Sequence, residues 1–161
     1  MIANFFTNAK PINFILLLGA LILFYIGAQL NIDLYPLSFK FWALKIAGLL
    51  LLIGLFFIYN FIITKNRLTL INSYGLLFIC LGFGLFFLLL LDTKLLLAQV
   101  ILAFSFRRIY SLRSNKNIRE KLFGSAFLIA LSSFLYFENI YLLILIYVTL
   151  IAFQRNYWNY F

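Results

Sequence analysis

Two groups of side chains in this sequence have the types and spacing to do chemistry. The first is RRIYSLRSNKNIREK, in which Arg107, Arg108, Arg113, Lys116, Arg119 and Lys121 stand against a single acid, Glu120. Guanidinium groups pair bidentately with phosphate, so these six are candidates for contact with anionic lipid headgroups, a lipid-linked phosphate or an acidic partner. A loop of this kind is also what the positive-inside rule requires of any multi-pass membrane protein, and topology anchoring is the simpler account. The second group is Asp33, Asp92 and Glu138, three of the four acids in the chain. Carboxylates that converge can hold a divalent cation or act as a base toward a lipid-linked substrate. Carboxylates that do not converge are solvated residues at helix ends, and nothing in their sequence spacing argues for convergence.

Other common chemistries are closed off by composition. There is no histidine, which removes the commonest general base and the commonest transition-metal ligand together. Cys80 is the one cysteine, so neither an intrachain disulfide nor a multi-thiolate metal site can form. No catalytic residue, metal or cofactor is therefore expected.

The elements that must position these residues follow from hydropathy. With 66% hydrophobic and 11% charged residues and a mean hydropathy of +1.08, 161 residues cannot assemble a water-facing surface, and lipid is the expected solvent. Alternation every second residue, the mark of a membrane barrel, is absent, so the expected fold class is all-α, a polytopic transmembrane helix bundle. Charged residues as boundaries divide the chain, taken as one transmembrane domain over 1–161, into six spans at about 12–29, 41–63, 73–91, 95–106, 122–137 and 140–153. The last three are short for a crossing and need flanking residues to lengthen them; a re-entrant or surface-lying path is the competitor for 95–106. The first span follows Lys10 as a signal peptide would, but cleavage after Ala28 would place Ile26 where a small residue is required, so it is read as a retained helix.

Charge placement supports this division independently. With both termini cytoplasmic, Lys10, Lys65, Arg67, Arg107, Arg108, Arg113, Lys116, Arg119, Lys121 and Arg155 face inward, and only Lys40, Lys45 and Lys94 face outward. Asp33, Asp92 and Glu138 fall outside, which concentrates the net charge of +9 on the inner side. A basic balance of this kind ordinarily raises nucleic acid as a partner, but no fold accompanies it to present the charges, and none is expected. Tyr35, Trp42 and Tyr141 mark the outer interface; Tyr59, Tyr74, Tyr110, Tyr157 and Trp158 mark the inner one. Lys45, one turn inside the second span, can snorkel outward. Asn13, Asn60, Gln99, Ser132 and Ser133 are expected to hydrogen-bond between helices. Gly75, Gly82, Gly84, Gly124, Ser125, Ala126 and Ala130 are expected to permit close approach.

The segments MIANFFTNAKPINF, FRRIYSLRSNKNIREKLF and FLIALSSFLYFENIYLLILIYVTLIAF resemble an uncharacterised family of polytopic inner-membrane proteins from Bacteroidota. The resemblance spans nearly the whole chain and implies a multi-pass location in the bacterial inner (cytoplasmic) membrane, with no activity, substrate or catalytic residue attached. Members of that family continue beyond a tryptophan motif that RNYWNYF resembles, and they carry proline where Glu138 stands here, so the chain is read as a shortened member.

Three functions follow as expectations. The first is a non-catalytic assembly or scaffold component, with the lipid bilayer and other membrane proteins as partners. The alternative is a membrane-embedded transferase acting on polyprenyl-linked sugars, for which Asp33 in the first outer loop would be the acid. The third is a small transporter, which needs an internal polar path.

Overall fold

The computed structural model describes residues 6–8, 10–30, 39–69, 72–113 and 117–152. Among them are six α-helices, α1 Pro11–Leu30, α2 Phe39–Asn66, α3 Tyr74–Leu85, α4 Thr93–Ser111, α5 Ile118–Ser133 and α6 Leu143–Ala152, with 3-10 segments at Phe87–Leu91 and Phe137–Leu142. No strand occurs among the described residues. Two helices are long and apolar enough to cross a membrane, α1 with 20 residues and α2 with 28. They rise about 30 Å and about 42 Å against a hydrocarbon core of about 30 Å. The chain divides into two compact units, Met1–Leu96 and Leu97–Phe161, with the division inside α4.

In the first unit the buried residues of α1 are Asn13, Leu17, Leu21, Tyr25 and Ala28. Steps of three and four residues put them on one stripe. Of these, Leu17, Leu21 and Tyr25 pack with Leu52 and Phe56 of α2, Leu76 and Cys80 of α3, and Leu90 of the first 3-10 segment. The Phe14 ring lies 5.1 Å from Phe56 and 5.4 Å from Phe57, both tilted, as aromatic quadrupoles prefer. Asn13 gathers the chain before α1 onto the start of α3. Its Nδ2 donates to the Asn8 carbonyl at 2.9 Å and to Ser73 Oγ at 3.4 Å, while the Ser73 amide donates to the Phe6 carbonyl at 3.0 Å.

Residues 73–91, expected as one continuous span, form two pieces. α3 stops at Leu85, and Phe86 leaves helical geometry with φ −111° and ψ 37° before the 3-10 segment begins. Gly82 and Gly84 stand in the last turn, where glycine weakens a helix by about 1 kcal/mol relative to alanine. Gly84 is also where the Phe24 ring of α1 nests: a Cβ there would sit 2.7 Å from Phe24 Cε2.

In the second unit the buried residues of α4 include Ala98, Leu102, Ser105 and Ile109, and Leu112 just beyond its end is buried too. The spacing is four, three, four, three, the seam of a packed helix pair. α5 repeats that spacing through Ile118, Ser125, Ile129 and Ser132, with the partly buried Leu122 completing it. Leu102 and Ile109 meet Ile129 of α5 and Ile146 of α6 in one cluster. The fourth span, expected over 95–106, lies within a 19-residue helix. The fifth and sixth begin and end differently from expectation, because the chain leaves α5 after Ser133 and turns through the 3-10 segment before α6 starts at Leu143.

Candidate functional site

Asp92 stands between the first 3-10 segment and α4, in extended geometry with φ −87° and ψ 102°. Its Oδ1 accepts from the amide of Lys94 at 2.9 Å and that of Leu95 at 3.4 Å. Those amides are orphan donors of the first turn of α4, and satisfying them is what an N-cap carboxylate does. Glu138 is exposed in the first turn of the second 3-10 segment. Asp33 lies outside the described residues. Among the described residues no three His, Cys, Asp or Glu side chains gather in a way that could hold a metal ion.

The basic residues gather where α4 ends and α5 begins. Arg107 and Arg108 occupy the last turns of α4 and Arg113 follows it. Arg119 and Lys121 lie in the first turn of α5. All five are exposed except Lys121, which is half-buried; Lys116 lies outside the described residues. Lys121 Nζ donates to the Ser111 carbonyl at 2.9 Å, placing a cation at the negative end of α4. Arg108 reaches across α5 at Gly124, where an added Cβ would fall on its guanidinium group. Glu120, the one acid of the stretch, accepts from Asn117 Nδ2 at 3.2 Å. Asn117 starts α5 with φ 51°, a left-handed conformation that asparagine tolerates better than most residues.

Polar groups deeper in the helices are engaged in packing. Ser105 Oγ donates to the Ser125 carbonyl at 3.0 Å, joining α4 to α5, and both serines are buried. Asn139 Nδ2 donates to Ser132 Oγ at 2.8 Å, joining the second 3-10 segment to α5. Asn139, which falls between the spans expected at 122–137 and 140–153, is buried. The Tyr25 hydroxyl donates to the Lys45 carbonyl at 2.7 Å, beside Gly48. The Lys45 ammonium itself lies 4.2 Å from the centre of the Phe41 ring, one turn earlier in α2. Ser133 bonds within its own helix, to the Ala130 carbonyl at 2.6 Å. A Cβ added at Gly82 would meet nothing within 4 Å, so no close approach depends on it.

Sequence reasoning missed Ser105 and Asn139. A serine amid apolar residues in a helix gives little signal, although its position in the four-three seam of α4 is visible once that seam is aligned with the one in α5. No family model, curated protein or solved structure matches the chain.

Proposed function

We propose that the chain is an integral protein of the bacterial inner membrane that crosses it six times with both ends cytoplasmic, and that it works as a non-catalytic assembly component whose apolar faces hold other membrane proteins. The observation that carries this reading is the outward surface of α1 and α2. Only 28% of the most apolar 18-residue window of each helix is buried, leaving side chains such as Ile15, Leu23, Ile46 and Leu50 facing out. In water that surface would be a liability, because exposed apolar area costs about 25 cal/mol per Å². Against lipid or a partner helix it costs nothing. The resemblance to polytopic inner-membrane proteins of Bacteroidota points the same way. The polar side chains favour a structural role over a catalytic one, since Asp92 caps α4 and Ser105, Ser132 and Asn139 tie helices together.

Topology is tested by cysteine labelling in a Cys80→Ala background. That change is mild, since the thiol is buried and makes a single long bond of 3.5 Å to the Leu17 carbonyl. Lys94→Cys is expected to react with an impermeant maleimide from outside intact cells, and Arg113→Cys only after permeabilisation. The assembly role is tested by polymer extraction of native membrane discs. A stoichiometric second membrane polypeptide is the expected result. A lone chain, together with a cell-envelope phenotype abolished by Asp33→Ala, would replace this reading with the transferase.

A further inference from the structure

The α4–α5 junction combines three features that a topology anchor alone does not need. The first is the placement of Arg108. Its guanidinium group lies against α5 at Gly124, in space that any Cβ would take. The second is a stripe on α5. Arg119, Phe123, Phe127 and Leu131 follow one another at intervals of four, all exposed, with Phe123 at 72% and Phe127 at 57%. The two rings stack, with centroids 6.3 Å apart and planes 19° from parallel. The third is the length of that stripe. Twelve residues of α-helix rise about 18 Å, close to half of a hydrocarbon core of about 30 Å. A cation at one end and an apolar track as long as one leaflet match the two parts of a phospholipid.

We propose that this junction is a binding site for one anionic phospholipid, with the Arg108 guanidinium, lying at Gly124, engaging the headgroup phosphate beside Arg113 and Arg119, and an acyl chain lying along Phe123, Phe127 and Leu131. Guanidinium and phosphate match in charge and in bidentate geometry, and basic pockets between membrane helices are known to take anionic headgroups. Free phosphate would use the cations but leave the aromatic track without a purpose. The site rests on the membrane reading given above.

The test uses the full chain reconstituted into phosphatidylcholine vesicles carrying trace spin-labelled phosphatidylglycerol. Flotation of the protein with the vesicles checks the membrane reading by itself; a protein that does not float overturns that reading and this site with it. In floating protein the motionally restricted fraction of labelled phosphatidylglycerol, compared with labelled phosphatidylcholine, measures the site. Arg108→Gln is expected to lower that selectivity about fivefold, the weight of one basic group at an anionic surface. Gly124→Ala is expected to do the same with net charge unchanged, because the new Cβ displaces the guanidinium group. Gly82→Ala, the same substitution where a Cβ meets nothing within 4 Å, is expected to leave selectivity intact and shows that helix chemistry alone is not responsible. Wild-type selectivity in Gly124→Ala would overturn the site and leave a diffuse basic surface. Release of the labelled lipid by inorganic phosphate, against chloride at matched ionic strength, would overturn the lipid in favour of the free anion.

Discussion

Gly48 and Tyr25 form a pair whose energetics can be separated by two substitutions. A Cβ built on Gly48 would lie 2.6 Å from the Tyr25 hydroxyl oxygen, but 3.5 Å from Cζ of the same ring and 3.7 Å from Leu96 Cδ1. The obstruction is thus the oxygen alone. That oxygen donates to the Lys45 carbonyl at 2.7 Å. Tyr25→Phe is expected to cost about 1 kcal/mol, the net worth of a typical hydrogen bond. Gly48→Ala in the native chain gains up to about 1 kcal/mol of helix propensity. It loses a similar amount with the displaced hydrogen bond and a further ~1–3 kcal/mol to overpacking. The net expectation is destabilisation by about 1–3 kcal/mol. In the Tyr25→Phe background the oxygen is gone, the remaining contacts are ordinary, and Gly48→Ala should stabilise by about 1 kcal/mol. Reversible unfolding in mixed detergent micelles, followed by far-UV circular dichroism, gives all four corners of the cycle. A coupling of about 2 kcal/mol or more is expected. Effects that add within about 0.5 kcal/mol, as they do for independent sites, would refute the claim that Gly48 exists to admit the hydroxyl.

Gly84→Ala should destabilise by about 1 kcal/mol through the Phe24 ring, and Phe24→Leu should remove that penalty, as read from the same unfolding transition. Arg67 ends α2 at φ 50°, with the amide of Leu68 on the Ile63 carbonyl at 3.2 Å and its own on the Thr64 carbonyl at 3.3 Å. This is a Schellman closure built on a side chain that disfavours the left-handed region, so Arg67→Gly should stabilise by up to about 1 kcal/mol. Asp92→Ala should cost about 1 kcal/mol by uncapping α4 and Asp92→Asn much less, with cellular function retained in both. Equal loss of function in the two variants would instead assign the carboxylate a chemical role. Asn139→Ala should cost about 1–2 kcal/mol because it leaves the buried Ser132 hydroxyl without its donor.

The helical class and the apolar segments were legible because long apolar runs without two-residue alternation fit helices and not strands. Boundaries were legible where charge or a cap marks them, as at Asp92. Faces were not. When nearly every residue of a helix is apolar, hydropathy has no period to reveal which side is packed, and the seam through Ala98, Leu102, Ser105 and Ile109 emerges only from burial. The break at Phe86 was hidden for a related reason. Phe86 to Leu91 reads as uninterrupted helix by composition, whereas the structure there turns on the nesting of Phe24 at Gly84 and the burial of Leu90. Of the basic group, its membership was visible in the sequence; the reach of Arg108 to Gly124 needed two helices side by side.

The hydrogen bond between Ser132 and Asn139 also bears on how this part of the chain is made. A lone asparagine side chain entering hydrocarbon loses its water and gains nothing in return, whereas one that enters already joined to Ser132 leaves no donor bare on that side. The two residues are seven positions apart, so the bond closes a local turn and needs no distant helix. On the membrane reading proposed above, the stretch from α5 through Asn139 would enter the bilayer with this pair of polar groups already satisfied by each other.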